Sequence, residues 1–391
     1  MPASPSTARA INDRLALRLL QDQGPLTAGQ LKTLTGLSRP TVADLVERLQ
    51  DSGLVQVVGE AGAERRGPNA RLYGIVADRA HLAALDVRTT SLSVVVTDLL
   101  GGTLAEASLP MEGHSDGPAV ERAVTLLERT VAEAGARRLH TVGIGAPGLI
   151  DPATGELRDS TGLPAWHRRL VAVLQERLPA TVLVENETNL AAVAEQREGA
   201  GHDRDTFVLL WLGHGVGAAV LLDGRLRRGA SGGAGEIGFL PVPGTGGLPS
   251  ATDCAGGFHA LAGSSAIRSL AAGYGIETGD GRGGEAAGAV AVRLALEDRA
   301  EDFLDALAGR VALGAAAVSA VLDPGCVVLG GEIGHAGGAE LAARVETRLA
   351  ALSPLRTEVR ASALGGAAVL RGALLTVRDA AQDQLFAPAA R

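Results

Sequence analysis

The chain has 391 residues, 46% of them hydrophobic, with 36 Lys+Arg against 44 Asp+Glu and a formal net charge of −8. That length is enough for two or three domains with a sizeable core, and the acidic balance excludes a protein that coats nucleic acid over its whole surface. With no run of 18 or more apolar residues and no signal-peptide character in Met1-Pro2-Ala3-Ser4, a soluble, cytoplasmic protein without membrane contact is expected.

Charge is uneven along the chain. The first 80 residues hold 10 Arg/Lys and 8 Asp/Glu, so a mildly basic head precedes an acidic body, as suits a protein that touches nucleic acid at one end. Lys32 is the only lysine, which reflects a coding bias more than a function. In the head, Ile11, Leu15 and Leu19 recur at helical spacing. Thr27 with Gln30 three residues on is a capping-box arrangement opening a second helix, and Gly36 permits a tight turn. Ser38 caps a third helix with Pro40 in its first turn, Val42, Leu45, Val46 and Leu49 form its apolar face, and Gly53 ends it. Two short apolar runs, LVQVVGE and ARLYGIV, flank the polar AGAERRGPN and read as a β-hairpin with a basic tip.

Three helices with a tight turn between the second and third, then a hairpin, make a winged helix-turn-helix. Burying the Val42/Leu45/Val46/Leu49 face turns Arg39, Thr41 and Arg48 outward beside the helix N-terminus at Ser38, while Arg65 and Arg66 reach the backbone or minor groove from the wing. The expected partner is double-stranded operator DNA. Asp44 counts against smooth phosphate contact unless it accepts from a cytosine amine. A small helical packing or dimerisation module is the bland alternative.

The remainder contains a faint internal repeat. LAALDVRTTSLSVVVTDLLGGTLAE and FVLLWLGHGVGAAVLLDGRLRRG each read as strand, polar turn, strand, Asp/Gly turn and strand, followed by helices and further strands. Two such halves imply a two-lobed α/β body with a cleft between the lobes, on the plan of the actin, hexokinase and heat-shock ATPase group. At the end of an apolar run, Glu185-Asn186-Glu187 gathers polar groups at a strand-to-helix junction. Cys254 and Cys326 stand far apart, neither in a C-x-x-C pair, and read as ordinary thiols.

Taken in order, the helix-turn-helix, GIGAPGLIDPATG, VENETN, GHGVG, GASGGAGEIGF and LDPGCVVLGGEIG resemble the repressor, open-reading-frame and kinase (ROK) family, specifically its DNA-binding branch. The resemblance covers nearly the whole chain. It implies an α/β fold: an N-terminal winged helix-turn-helix (1–78) followed by a two-lobed actin/hexokinase-like sugar-kinase domain (79–391). The first lobe takes in about 79–187 and the second about 188–391, with a C-terminal helix that can return to the first.

Against the family pattern the sequence departs at the positions that carry phosphoryl transfer. Where family kinases have Asp-x-Gly-Gly-Thr, this chain has Asp86-Val87-Arg88-Thr89-Thr90, so both glycines that admit phosphate are missing. The second turn keeps Gly213, Gly215 and Gly217 but has His214 where a threonine is customary. Glu187 takes the position of the catalytic aspartate, one methylene longer. A displacement of about 1 Å costs on the order of 100-fold in rate. The family's zinc histidine is Phe239 here, and its cysteine cluster is missing, with only Cys254 nearby and at none of the three cysteine positions, so no metal and no cofactor is expected, with Phe239 and Phe258 as an apolar plug in place of the ion.

Among sugar-contacting positions, Asn186 and Glu236 match the family, while Gly162, Phe239 and His259 replace an asparagine, a histidine and a glutamate. Two readings of Asn186 and Glu236 stand: effector contacts, together with Glu187 and His259, or satisfied structural groups at the lobe junction. The expectation is a regulator, a repressor acting as a homodimer or higher oligomer, without catalytic residues, whose body senses a sugar, a phosphosugar or a related metabolite. An ATP-dependent sugar kinase with an accessory DNA-binding head is the alternative, and a purely structural assembly factor a third.

Overall fold

A computed structural model describes residues 5–61, 70–111, 116–158, 166–250, 256–278 and 286–387. The head is built from α1 (Pro5–Gln23), α2 (Ala28–Thr35) and α3 (Arg39–Asp51), then β2 (Val55–Ala61) and β3 (Ala70–Ile75). A two-residue strand, β1 (Leu26–Thr27), pairs with β3 and closes a three-stranded wing sheet in the order β1-β3-β2. Thr27 and Gln30 form the full capping box at the start of α2, and Gly36 ends that helix in the left-handed conformation at φ 68°. Val42, Leu45, Val46 and Leu49 are the buried residues of α3. On α1 the buried face is Ala16, Leu17 and Leu20, whereas Ile11 and Leu15 are exposed. The first helix is thus rotated from the face its Ile11–Leu15–Leu19 spacing suggests, because it must cover both the head and the body.

The body contains two five-stranded sheets of one topology. The first runs β6-β5-β4-β7-β8, from β4 (His81–Val87), β5 (Ser91–Asp98), β6 (Thr103–Pro110), β7 (Leu139–Ala146) and β8 (Thr181–Asn186). The second runs β11-β10-β9-β12-β13, from β9 (Phe207–Leu212), β10 (Val216–Leu222), β11 (Arg225–Arg227), β12 (Cys326–Gly330) and β13 (Glu358–Ala361). In each, an antiparallel meander is extended by two parallel strands, and the faint sequence repeat is this shared pattern. The β10–β11 hairpin turns on Asp223 (φ 54°) and Gly224 (φ 70°), two consecutive left-handed residues that match the strands' twist.

Helices α4 (Asp116–Glu133) and α5 (Trp166–Arg177) cover the outer face of the first sheet. On the second sheet the outer cover is α8 (Ser264–Gly273), α9 (Ala287–Glu297), α10 (Glu301–Leu322) and α11 (Gly331–Leu352). Helix α10 is long and apolar enough to span a bilayer, yet Phe303, Leu304, Leu307, Val311 and Ala315 are buried in this core. Between the sheets lie α6 (Glu187–Glu198) and α12 (Ala368–Leu385), whose Leu190, Ala191, Val369 and Ala373 share a core with Phe207, Leu209 and Val328. Gly372 brings α12 against α6 so closely that a Cβ there would lie 1.9 Å from the Leu190 carbonyl oxygen. The last turns of α12 enter the head's own core, where Val377, Ala381 and Phe386 pack with Leu17, Leu20 and Leu82. One helix therefore touches lobe interface and head.

Candidate functional site

At the head, Ser38 caps α3, its hydroxyl accepting from the Thr41 N–H at 3.3 Å and lying 2.8 Å from the Thr41 hydroxyl. Arg39, the first residue of the helix, is exposed beside this N-terminus, and Thr41 is half-buried. Arg48 departs from the outward reading: its guanidinium is held by Asp13 of α1 at 2.6 Å and by Asp44 one turn earlier. The arginine braces α1 against α3, and the same pair neutralises the Asp44 carboxylate that stood against DNA contact. Arg65 and Arg66 lie outside the described residues, as do Gly162 and Cys254.

The second candidate is a cleft of about 920 Å³ between the lobes, a volume suited to a small molecule. Its walls include Arg88 and Thr89 from the turn after β4, Asn186 and Glu187 from the β8–α6 junction, and His214 from the β9–β10 turn. Glu236, Phe239, His259 and Glu332 also line it. The segment carrying Glu236 lies tight against β10 because Gly235, at φ 95°, has no side chain. A Cβ there would sit 1.9 Å from the Ala218 carbonyl oxygen.

Arg88 is fastened on three sides. Its Nε donates to Asp86 at 2.9 Å, one terminal nitrogen to Glu332 in the first turn of α11, and the other to the Gly366 carbonyl at 3.5 Å just before α12. It thus joins the first lobe to the second at the first of the two turns, the one that lacks glycine. Burial pushes the Asp86 carboxyl up despite the adjacent guanidinium. Asp86 Oδ1 and Glu332 Oε2 are buried with no hydrogen-bond partner among the described residues. Glu332 and Gly366 were not singled out from the sequence, and Asp86 only as the first residue of the phosphate turn; an arginine in place of a glycine at that turn is the signal that counter-charges stand nearby.

Asn186 is the N-cap of α6: its Oδ1 accepts from Thr188 N–H at 2.9 Å and Asn189 N–H at 3.3 Å. Its amide nitrogen donates to the Gly148 carbonyl at 3.0 Å and to Glu187 Oε2 at 2.9 Å. The side chain thus has structural partners for its oxygen and both its N–H groups. Burial, reinforced by Asp86 and Glu236, pushes Glu187 up to about 8. Partial desolvation by the cleft wall also raises Glu236, although its side chain is exposed; its carboxyl group has no ion pair or hydrogen bond among the described residues.

His259 accepts the Val216 N–H on Nδ1 at 3.2 Å, and burial lowers its pKa, so it stands as a neutral ring with its proton on Nε2. Phe239 meets His259 edge-on at 5.3 Å and is 36% exposed, whereas Phe258 is fully buried in the second lobe. The two phenylalanines do not form a joint plug: Phe258 packs against α10 at Gly314, leaving Phe239 on the cleft wall. Among the described residues no group of three His, Cys, Asp or Glu side chains is arranged to hold a metal ion. Cys326 is a buried free thiol on β12, pushed up to about 11 by burial.

Residues 82–380 match the ROK family, and residues 11–66 match the MarR family. The chain is 26% identical to the xylose repressor of Caldicellulosiruptor bescii over 60% of its own length and 59% of that protein's. It is equally 26% identical to the DNA-binding transcriptional dual regulator NagC of Escherichia coli K12, over 60% of this chain and 58% of that one. The match thus spans somewhat under two thirds of these relatives. Its fold is similar to the crystal structure of a ROK family transcriptional regulator homologous to the Escherichia coli MLC protein. That likeness has a TM-score of 0.76 at 21% identity, over 97% of this chain and 98% of that one. The ROK hexokinase of Thermus thermophilus is similar over 78% of this chain and 99% of its own, with a TM-score of 0.62 at 26% identity.

Proposed function

The chain belongs to the ROK family, and from that membership we propose that it is a DNA-binding transcriptional repressor whose kinase-like body has lost phosphoryl transfer and senses a sugar or related metabolite. We assign residues 1–78 to operator recognition, with Arg39 and Thr41 at the N-terminus of α3 and Arg65 and Arg66 on the wing. Residues 79–391 then supply the sensor and the contacts of a cytoplasmic homo-oligomer. The likeness of residues 11–66 to the MarR family supports the head's assignment, and the xylose repressor and the dual regulator NagC support a regulator's role for the chain.

The single observation that carries the loss of catalysis is Arg88. Phosphoryl transfer needs backbone N–H groups close around the phosphates and a base in line with the attacking hydroxyl. At the first of these turns stands a guanidinium already engaged by Asp86, Glu332 and Gly366. Glu187, pushed up to about 8, carries its proton in most molecules at neutral pH and so is not free to accept one. In the sensor reading, a ligand that prefers one arrangement of the lobes shifts the head through α12 without chemistry.

A kinase with an accessory head is the second reading, favoured by the open cleft and the likeness to the Thermus thermophilus hexokinase. A coupled ADP-release assay over hexoses and amino sugars, run beside operator binding, separates the two. Operator binding with no turnover is expected. Turnover at a kinase's rate that disappears in Glu187→Gln overturns the repressor-sensor reading.

A further inference from the structure

The cleft's charge is lopsided. Glu187, Glu236 and Glu332 line it and Asp86 lies directly behind Arg88, so four carboxyl groups face one guanidinium. That guanidinium is committed to two of the four and to a carbonyl. The histidines add little positive charge. His259 is neutral with Nδ1 held by Val216, and His167, 1% exposed, is pushed down to about 4 by burial. Among the described residues His214, on the second turn, is the other histidine that lines the cleft.

The hydrogen-bond inventory leans the same way. Among the described residues Asp86 Oδ1 and Glu332 Oε2 are buried acceptors without donors, Asp86 being 5% exposed, while the Glu236 carboxyl group stands exposed on the cleft wall with no protein partner. Unpaired buried acceptors call for N–H or O–H groups from whatever fills the cleft, and an anion brings only more acceptors. A phosphate placed here would meet carboxylates, with no free arginine or lysine among the described residues that line the cleft to bind it.

Building on the sensor reading, we propose that the cleft takes a polyhydroxylated small molecule bearing a protonated amine, and that it discriminates against phosphorylated sugars and nucleotides. The ammonium group sits among Glu236, Glu187 and Glu332, and the hydroxyls donate to the remaining carboxyl oxygens. Glu187 is held toward its neutral form by burial, so an arriving cation restores its charge and releases a proton.

The test is calorimetric titration of the full chain with four matched probes: a hexose, its 2-amino-2-deoxy form, the N-acetyl derivative of that amine, and the hexose 6-phosphate. The free amine is expected to bind about tenfold more tightly than the hexose or the N-acetyl form. Its binding should release protons, seen as a dependence of the measured heat on buffer ionisation. The 6-phosphate is expected to bind most weakly. Glu236→Gln, which breaks no described ion pair, should bring the amine close to the hexose while leaving operator binding intact. Tightest binding by the 6-phosphate, or equal binding of amine and hexose with no proton release, overturns the proposal and leaves the sensor reading standing. If none of the four binds, both fall, while the repressor assignment rests on the operator assay alone.

Discussion

The guanidinium of Arg88, on the turn after β4, and the carboxylate of Glu332, in the first turn of α11, form an ion pair that joins the two lobes directly across the cleft. Asp86 holds the other edge of the same guanidinium at 2.9 Å, so one arginine neutralises a buried aspartate and an interlobe glutamate together. The Asp86 side chain is 6% exposed and that of Arg88 27%. Removing Arg88 therefore strands charge where water cannot compensate it. Breaking a buried pair from one side costs about 3 kcal/mol. Arg88→Ala is expected to lose roughly that much in denaturant unfolding, and Asp86→Asn added to it should recover a large part. A loss under about 0.5 kcal/mol in the single variant would remove the clasp as a stabilising element.

In the head, Arg39 and Arg48 should behave as opposites although both lie on α3. Arg39 is exposed at the helix N-terminus, so Arg39→Ala is expected to weaken operator binding by about 1–3 kcal/mol and relax specificity at one base position. Arg48 is bound by Asp13 and Asp44, so Arg48→Ala should lower the melting temperature of the head while changing specificity little. If Arg65 and Arg66 contact backbone phosphates, as proposed, replacing them with Ala should weaken all sequences alike and reduce the salt slope. Unchanged operator affinity in an Arg39→Ala/Thr41→Ala double variant would rule out α3 as the recognition helix.

Glu187 gives the stability curve a definite sign. Its carboxyl group rises from 4.5 to about 8 on folding, chiefly through burial, so the native state holds a proton that the unfolded chain has released. The associated stability is fully present below pH 4.5 and is lost as pH rises through about 8. In that window the contribution falls by up to about 1.4 kcal/mol per pH unit. Glu187→Gln keeps an uncharged group in the same place and should remove this slope. Its stability relative to the parent chain should therefore grow between pH 5 and pH 8, measured by urea unfolding; a constant difference over that range would show that Glu187 titrates normally.

Much of this arrangement could be read from local pattern, and the exceptions share one cause. The capping box at Thr27 and Gln30, the buried face of α3 and the doubled β-meander depend on residues close in sequence, whose spacing carries the information. Arg48 was read as outward because Asp13 lies 35 residues away, and helical spacing does not report such a partner. Glu332 stands 244 residues from Arg88, and only the closing of one lobe on the other brings them together. Asn186 matched a sugar-contacting position, yet the same amide caps α6; residue type alone does not separate a ligand contact from a cap. Nor did the spacing of Ile11 and Leu15 show that α1 would turn its Leu17 side toward α12.

A single small winged helix makes few base contacts, and two heads on a two-fold axis double them and impose a half-site spacing of about one helical turn or a multiple. Light scattering should therefore give at least twice the chain mass, and inserting about five base pairs between half-sites, half a turn, should abolish tight binding. A monomer that binds one half-site as tightly as the whole operator excludes this arrangement.

Gly372 tests whether the head is mechanically tied to the lobes. Helix α12 begins next to Gly366, which accepts from Arg88, passes α6 at Gly372 and ends in the head with Phe386. Near that end Gln382 donates to Gln21 of α1 at 2.8 Å and to the Leu99 carbonyl at 3.2 Å. Ala at position 372 would place its Cβ 1.9 Å from the Leu190 carbonyl oxygen and 2.5 Å from its carbon, and backbone of this kind cannot swing aside as a side chain can. The two helices must part, at a cost of about 1–3 kcal/mol or more. Gly309→Ala on α10 is the matched control, since a Cβ there meets nothing within 4 Å, and it should stabilise slightly through helix propensity. Because α12 carries part of the head's core, amide exchange at Leu17 and Leu20 should accelerate in Gly372→Ala although neither residue touches the substitution. Equal melting temperatures for the two variants would show that the α6–α12 contact has room to spare; a destabilised Gly372→Ala with unchanged exchange in α1 would show that the head is held independently of the lobes.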